Sequence, residues 1–384
     1  MNIYLDNAAT TPLSNEVFTE MEPYVFQSFA NPSSAHALGR EARVAVERSR
    51  KIIAENLNAR PENIFFTSGG TEADNTAILS AIHHHKIDVA ITSRLEHHAV
   101  LNTLKTAEKA GLIKLLYVEN DANGNLSLPH LDRLLEENNR ALISLMHGNN
   151  EIGNLNPIDE IADLAEHHDA ILHSDTVQTM GHIRYNTRLL GPDFLVGSAH
   201  KFHGPKGVGF LYAKDPANLR SLLNGGSQES GKRAGTENVS GIVGLASALS
   251  GAYANFDQHE SHIVSLKQQL INGIKHLPGI IFNGHSKNID KSLSTILSIA
   301  LPQIENTADL LTNLDVLGIY ASGGSACTSH GSSHVIQALM PRNGYDIIRF
   351  SFSRYNTDQE IDQVITVLNQ YSENILGQPS LRSA

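Results

Sequence analysis

The sequence is poor in the features that mark secreted, membrane-spanning and nucleic-acid-binding proteins. It has a single cysteine among 384 residues, so an intrachain disulfide is impossible and a reducing compartment is favoured. No apolar run approaches the roughly 18 residues of a membrane span. The N-terminus, MNIYLDNAATTP, has neither the basic region nor the apolar core of a secretion signal. We therefore expect a cytoplasmic protein without a membrane partner.

Clusters of positive charge are missing as well. The formal net charge is −11 at pH 7, from 29 Lys and Arg against 40 Asp and Glu. Because there is no Lys/Arg cluster to follow a phosphate backbone, direct binding of DNA or RNA is disfavoured. The hydrophobic fraction of 41% and the charged fraction of 18% are those of an ordinary globular enzyme.

Histidine is abundant, with 20 residues, but its spacing argues against a metal site. His83, His84 and His85 are consecutive, so on a helix they point in different directions and cannot chelate one ion. The remaining histidine pairs lack the i, i+4 spacing of a helical zinc site. We predict no metal and interpret the triplet as the solvated end of a helix.

Short apolar runs alternate with helix-like segments through most of the chain. This alternation predicts an α/β fold with a mostly parallel sheet and helices on both faces, in which ligands bind beyond the carboxyl ends of the strands. The predicted strands are 3–6, 64–67, 89–92, 113–118, 141–146, 170–174 and the runs on either side of 198–207. The predicted helices are 16–29, 37–57, 73–85, 97–110, 130–137, 158–168 and 241–254.

The last third of the chain does not keep this alternation. Helices are predicted at 259–276, 308–317, 333–340 and 358–371, and strands at 279–282, 294–300 and 347–352. Strands and helices that do not alternate regularly are typical of an α+β unit. We expect a second, smaller domain here.

A lysine follows one of the apolar runs in an unusual setting. Lys201 lies in LVGSAHKFHGPKGVGFLYA, among glycines and hydrogen-bond donors instead of other charges. In a tight, partly dry turn a lysine can lose its proton and attack a carbonyl. Pyridoxal phosphate is the cofactor that uses such a lysine together with a nearby carboxylate. On this stretch alone, a Lys201 that merely caps a strand end is an equal alternative.

Other polar residues supply the remaining contacts that this cofactor needs. Ser68-Gly69-Gly70-Thr71 joins a strand to a helix, which makes an anion site of free N–H groups, and Ser198 and His200 could also hold a phosphate. Asp175, at a buried strand end, needs a cation such as a pyridinium nitrogen. Gln178 could donate to the ring oxygen and His97 could stack on the ring. The alternatives are Asp175 as a helix cap and His97 as a core or capping residue.

Nine motifs in order give the chain a specific resemblance. They are YLDNAATT, NPSS-x-H, FTSGGTEADN, EHHAVL, NNEIG, HSD-xx-Q, SAHKFHGPKGVG, GGSQE-xxx-RAGTEN and SGGSACTS. The chain resembles the cysteine desulfurases of the NifS/IscS type, in the class V aminotransferase family, from residue 4 to about residue 360. The resemblance implies the pyridoxal-phosphate-dependent transferase fold type I. It places a large cofactor-binding domain at 12–256 and a small domain at 1–11 and 257–384, with a mobile cysteine loop at about 321–332.

The resemblance also implies a role for each site residue. Lys201 would bind the cofactor's aldehyde, Asp175 the ring nitrogen and Gln178 the ring hydroxyl, while His97 would stack on the ring. Asn150 and Arg349 would hold the substrate carboxylate, with Arg354 as the alternative to Arg349. The residues implied for the phosphate are Gly70, Thr71, Ser198 and His200, together with Thr236 of the neighbouring subunit in a homodimer.

Cys327 is the residue on which the implied reaction depends. It lies in a run too small and polar to form a core, which favours a mobile loop over a buried thiol. In the family the thiolate attacks the sulfur of bound L-cysteine and leaves L-alanine and a persulfide. The loop then passes the sulfur to an acceptor protein of iron–sulfur cluster assembly, tRNA thiolation or a thiamine-type pathway.

One departure from the family and two alternatives are visible. The segment from Cys327 to the helix at Ser333 is about two residues shorter than the NifS/IscS pattern, which would restrict the acceptors it reaches. A selenocysteine lyase or another lyase of this scaffold is one alternative, and Cys327 in SGGSACTS argues against it. A non-catalytic sulfur-relay protein is the other, and the intact set of Lys201, Asp175, His97 and Cys327 disfavours it.

Overall fold

The computed structural model describes residues 2–304, 309–323, 333–339 and 344–376. The strands are β1 Ile3–Tyr4, β2 Ile64–Thr67, β3 Val89–Thr92, β4 Lys114–Tyr117, β5 Ala141–Ser144, β6 Ile171–Ser174, β7 Phe194–Ser198, β8 Gly209–Ala213, β9 Ile281–Phe282, β10 Ile296–Pro302, β11 Ile319–Tyr320 and β12 Tyr345–Ser351. The α-helices are α1 Asn15–Phe26, α2 Ala37–Asn56, α3 Gly70–His84, α4 His98–Lys109, α5 Leu128–Glu137, α6 Ile158–His167, α7 Thr187–Leu190, α8 Val239–Ala254, α9 Phe256–Ile274, α10 Leu310–Val316, α11 His334–Leu339 and α12 Asp358–Leu376.

The main sheet is mixed and mostly parallel, as the sequence predicts. Within the described ranges it has seven strands in the order β2-β8-β7-β6-β5-β3-β4. The strands from β7 across to β4 are parallel, and β8 runs antiparallel to both β2 and β7. Every residue of β2, β3, β5 and β7 is buried, which explains why these strands are continuous apolar runs and do not alternate with polar residues.

Helices cover both faces of this sheet because side chains alternate along each strand. In β8, Phe210 packs with residues of α2 and α8, whereas its neighbour Leu211 packs with residues of α3 and α4 on the other face. A third cluster joins Ile91 and Ile143 to α5 and α6. In sheets of this kind, ligands bind beyond the carboxyl ends of the parallel strands.

A second unit is built from both ends of the chain. β10 pairs antiparallel with β9 and β12, and α9 and α12 share a separate hydrophobic cluster with these strands. β1 pairs with β11, and Ile3 and Leu5 belong to the same cluster. On this packing we propose the division into a large domain, 12–256, and a small domain, 1–11 with 257–384.

Several element boundaries differ from the sequence predictions. α3 begins at Gly70 and not at residue 73, because the glycine turn itself takes up the helical conformation. β5 ends at Ser144, two residues early, and α7 is an unpredicted short helix that ends at Gly191 with φ 68°. α9 begins at Phe256, after the single residue Asn255, so the predicted gap before residue 259 is absent.

The described helices differ in length or in hydropathy from a membrane-spanning helix. No single described helix is long and apolar enough to cross a membrane, and only α8 and α9 taken together, bent by 76°, reach that length and composition.

Candidate active site

A cavity of about 240 Å³ lies at the carboxyl ends of the parallel strands. It gathers most of the predicted site residues because parallel strands end at one edge of a sheet and the loops that follow them converge there. The predicted residues that line it are Gly70, Thr71, His97, Asn150, Asp175, Gln178, Ser198, His200, Lys201 and Arg349.

One end of the cavity is suited to an anion. α3 starts there at Gly70, and no side chain caps its first N–H groups. A Cβ on Gly70 would lie 2.6 Å from Val177 Cγ2, so the close approach requires glycine. Ser198 and His200 line the same end, and together with Gly70 they also line an adjoining pocket that includes Lys206. Free N–H groups, a hydroxyl and a helix N-terminus together suit a phosphate.

Lys201 reaches the cavity from the short turn after β7. Its Nζ donates hydrogen bonds to the carbonyl oxygens of Ala8 at 2.6 Å and Ala9 at 2.9 Å. Both carbonyls belong to the N-terminal segment, which therefore forms part of the wall. Because the amine lines the cavity, this geometry favours the catalytic interpretation of Lys201 over a strand cap.

Asp175 and Gln178 lie on the turn that follows β6. Asp175 is 7% exposed, and its Oδ1 accepts a hydrogen bond from the Val177 N–H at 2.9 Å. Gln178 Nε2 donates to the Ala8 carbonyl oxygen at 3.0 Å. A carboxylate held this way in a buried wall favours a cationic partner in the cavity.

His97 caps α4 and also faces the cavity. Its Nδ1 accepts a hydrogen bond from the Ala99 N–H at 3.2 Å, so His97 is both a helix cap and a cavity residue, and its stacking on a cofactor ring stays a prediction. Burial lowers the pKa of His97; Asp175 opposes this shift and Lys201 adds to it. Burial and the adjacent lysines also lower the pKa of His200 to about 4. Both imidazoles are therefore neutral at pH 7.

Arg349 and Arg354, the two candidates for binding the substrate carboxylate, lie in different pockets. Arg349, on β12, is 1% exposed and lines the cavity, and its Nη1 donates to the Asn150 carbonyl oxygen at 2.7 Å. Arg354 lies in a different crevice with Glu16, and its Nη2 donates to the Tyr355 hydroxyl at 3.1 Å. The geometry therefore favours Arg349 as the residue that meets a substrate carboxylate.

Thr236 is the one predicted residue, among those that the structure describes, that does not line this cavity. It is exposed, and its predicted role concerns the site of a neighbouring subunit. Its loop docks on α3, where Arg233 Nε lies 3.0 Å from Glu72 Oε1. Cys327 lies outside the described residues.

Asp74 is a cavity residue that the sequence analysis missed. It is 1% exposed, its Oδ1 has no hydrogen-bond partner within the described ranges, and His173 Nε2 lies 3.3 Å from that oxygen. Burial raises the pKa of Asp74 well above its usual range, and Asp175 and Glu96 raise it further. This shift favours the uncharged form of the Asp74 carboxyl. The sequence did contain an indication of this position: Asp74 follows Gly70 by four residues, so on a helix the two lie on the same face.

Taken together, the donor set fits pyridoxal phosphate. The anion end, the amine of Lys201, the imidazole of His97 and the carboxylate of Asp175 surround one space. The Gly70 cradle leaves no room for a Cβ, and one oxygen of Asp74 in the wall has no hydrogen-bond partner in the described part of the chain. These are the groups that a flat, phosphorylated aldehyde with a basic ring nitrogen requires.

Comparison with known proteins gives consistent matches. The family described as aminotransferase class-V matches residues 3–364. A cysteine desulfurase IscS of Dictyoglomus turgidum is 40% identical and aligns with 97% of this chain and 95% of its own. A solved NifS-like protein has a TM-score of 0.89 at 34% identity, covering 97% of this chain and all (100%) of its own. A structure described as SspA in complex with cysteine has a TM-score of 0.79 at 31% identity, covering 92% of this chain and 100% of its own.

Proposed function

Because this chain belongs to the aminotransferase class-V family, we propose that it is a cysteine desulfurase that uses pyridoxal phosphate. It converts L-cysteine to L-alanine and carries the sulfur as a persulfide on Cys327. The relatives named above support the reaction, and the single structural observation that carries the cofactor assignment is the convergence of Lys201, Asp175, His97 and the Gly70 anion end on one cavity.

The residues of the cavity divide the binding of cofactor and substrate among them. Gly70, Thr71 and Ser198 would hold the phosphate by N–H and hydroxyl groups, and Asp175 would hold the ring nitrogen in its protonated form. Lys201 would supply the amine that binds the aldehyde. When bound, pyridoxal phosphate supplies an electron-withdrawing ring conjugated to the amino group of the substrate.

The substrate end of the cavity is cationic. Arg349 and the Asn150 loop orient the carboxylate of L-cysteine, since a guanidinium is suited to bind a carboxylate by paired hydrogen bonds. The Lys201 amine would move protons at the substrate carbons, and His97 in the cavity wall would accept or return a proton.

Cys327 performs the sulfur transfer. Its thiolate attacks the substrate sulfur, so a sulfur–sulfur bond forms and the carbon–sulfur bond of L-cysteine breaks. The bonding electron pair stays with the substrate carbon, which takes up a proton to give L-alanine. With no second cysteine in the chain, the persulfide cannot be lost to an internal disulfide and must pass to an acceptor.

A homodimer is part of the proposal. Large apolar side chains are exposed on α1, on α2 and on the segment between them, and clusters of exposed apolar surface are typical of protein–protein contacts. A second copy of the chain on this surface would cover these side chains and would bring Thr236 to the phosphate end of the partner site. The exposed apolar residues are Phe18, Val25, Phe26, Phe29, Leu38 and Val44.

The acceptor is proposed as a protein of iron–sulfur cluster assembly or tRNA thiolation. The shortened segment after Cys327 limits how far the persulfide reaches, so the acceptor must approach the mouth of the cavity closely. Which of the two pathways receives the sulfur is decided by testing purified acceptors of each kind for persulfide uptake.

The spectrum of the purified protein tests the proposed function. We expect a visible absorbance band from the cofactor attached to Lys201, which changes on addition of L-cysteine, with alanine and sulfide produced in equal amounts under a reducing thiol. Lys201→Ala should lose the band of the attached cofactor. A wild-type protein with no such band after reconstitution with pyridoxal phosphate would refute the proposal.

A further inference from the structure

Helix α11 is short, yet its start is held by contacts to the large domain. Ser333 immediately precedes it, is 8% exposed, and accepts a hydrogen bond at Oγ from the Ile336 N–H at 3.1 Å. The apolar side chains of α11 pack in a small cluster with Leu95 and Ile152. α11 therefore rests on the loops that follow β3 and β5, which also carry His97 and Asn150.

The closest of these contacts joins Ser333 to Glu151. The Ser333 hydroxyl donates a hydrogen bond to Glu151 Oε2. Glu151 is 1% exposed, and its other oxygen, Oε1, is buried and has no hydrogen-bond partner among the described residues. A buried carboxylate is costly unless it is hydrogen-bonded, so Glu151 depends on the Ser333 hydroxyl and holds it in turn.

A second contact comes from the next residue. His334 Nε2 lies 2.9 Å from the carbonyl oxygen of Glu96, and its ring stacks on His98 with centroids 4.5 Å apart. Glu96 directly precedes His97, as Glu151 directly follows Asn150. The start of α11 is thus tied to the immediate sequence neighbours of two cavity residues.

Two residues at the start of α11 and in its contact surface, His334 and Glu151, also act on the pKa of His97. Besides burial, the groups that act on the pKa of His97 are Asp175, Lys201, His334 and Glu151. Glu151 raises the pKa of His97 and His334 lowers it. These two residues therefore lie close enough to His97 for their charges to act on it.

We propose that Ser333 and Glu151 are positioning residues that fix the C-terminal attachment of the segment carrying Cys327 beside the cavity. The inference rests on the proposed function. Cys327 precedes Ser333 by six residues, and six residues extend over at most about 20 Å. The position of Ser333 therefore limits where the thiol can reach, and the Glu151 carboxylate sets that position.

The test compares three variants of the holoenzyme with the wild type. Ser333→Ala removes the hydroxyl, Ser333→Thr keeps it, and Gln337→Ala changes an exposed residue of the same helix as a control. For each protein we would measure the melting temperature, the cofactor spectrum, the spectral change on mixing with L-cysteine, and the single-turnover rate of persulfide formation on Cys327.

We expect Ser333→Ala to slow persulfide formation by about tenfold to a hundredfold, the effect of a small misplacement of a reacting group. The cofactor spectrum and the rate of the L-cysteine-dependent spectral change should stay those of the wild type. Ser333→Thr and Gln337→Ala should form persulfide at close to the wild-type rate.

Two results would overturn the proposal. One is a wild-type rate of persulfide formation in Ser333→Ala. The other is an equal slowing of the spectral change and of persulfide formation, which would indicate general damage to the site. In both cases a wild-type protein that releases alanine from L-cysteine, beside a Cys327→Ser protein that binds L-cysteine and releases none, would show that the proposed function itself stands.

Discussion

Arg349 and Asp6 form an ion pair in which Arg349 Nη2 lies 2.7 Å from Asp6 Oδ1. Because Nη1 donates to the Asn150 carbonyl oxygen, one guanidinium joins the N-terminal segment to the loop after β5. Within the part of the chain that the structure describes, Arg349 Nε is buried without a hydrogen-bond partner, although the side chain lines the cavity. The guanidinium therefore keeps donors that these two contacts do not use, and a bound carboxylate could accept from them.

This relationship predicts the effect of removing Arg349. Arg349→Ala should raise the KM for L-cysteine by about tenfold to a hundredfold, the effect of losing a hydrogen bond to a charged group worth about 1.5–3 kcal/mol. The cofactor spectrum should be kept, because Arg349 is not proposed to hold the cofactor. Arg354→Ala is the matched control and should leave KM unchanged; steady-state kinetics with both variants would exclude our assignment if the larger effect fell on Arg354.

Asp74 and Asp175 are two carboxyl groups in one wall, and we predict that Asp74, whose pKa burial raises well above its usual range, is uncharged in the folded protein. Asp74→Asn keeps the shape of a neutral acid, so cofactor affinity and the pH dependence of the bound cofactor's absorbance should stay close to the wild type. Asp175→Asn should weaken cofactor binding strongly, because the ring nitrogen loses its anionic partner. A shifted pH dependence in Asp74→Asn would mean that Asp74 is ionised.

The loop that carries Thr236 is held by a buried ion pair. Arg50 Nη2 lies 2.7 Å from Glu229 Oε1, and Glu229 Oε2 also accepts the Phe66 N–H at 2.9 Å. Glu229→Ala should lower the free energy of unfolding by up to about 3–5 kcal/mol, since it takes from a buried guanidinium its buried carboxylate and leaves only the exposed Glu47 carboxylate and the Ile64 carbonyl oxygen. Glu62→Ala removes the carboxylate that pairs with exposed Arg60 and should lower the free energy of unfolding by less than about 1 kcal/mol. Urea titration of both variants and of the wild type measures the two changes. Equal costs would contradict the account.

Lys267 predicts a pH dependence of stability. It is fully buried, donating from Nζ to Ser292 Oγ at 2.8 Å and to the Leu293 carbonyl oxygen at 2.7 Å, and burial lowers its pKa from 10.5 to about 7. Between these two values the unfolded chain binds the proton and the folded chain does not. Unfolding therefore takes up a proton, and the free energy of unfolding rises with pH.

The Lys267→Met variant isolates this contribution. The difference in unfolding free energy between wild type and variant should change in favour of the wild type as pH rises from about 7 to about 10, by at most about 1.4 kcal/mol per pH unit. Urea unfolding at several pH values measures it, and the comparison cancels the other titrating groups. A constant difference across that range would show that Lys267 keeps its proton in the folded chain.

The sheet was predictable from the sequence because its strands are buried on both faces. β2, β3 and β5 are uninterrupted apolar runs, and the helices between them show a regular apolar face, so period and order follow from the residues. The ends of elements were less predictable. The glycine turn at Gly70 is itself helical, and only the packing against Val177 explains why it contains glycine.

The site was predictable where chemistry and strand ends coincide, as at Lys201 and Asp175. It was not predictable where partners come from distant parts of the chain. Nothing local to Ser333 indicates that its hydroxyl meets Glu151, and the carbonyl oxygens of Ala8 and Ala9 that bind Lys201 belong to a segment 193 and 192 residues away. Backbone acceptors of this kind leave no signal in side-chain identity.

The most direct test of the central claim is a measurement on Cys327→Ser. The account predicts that the purified variant keeps the visible spectrum of the bound cofactor and still responds to L-cysteine, because the cavity residues are unchanged. It also predicts that alanine and sulfide production fall to background, because the atom that receives the sulfur is gone. Alanine and sulfide released at the wild-type rate by Cys327→Ser would contradict the account.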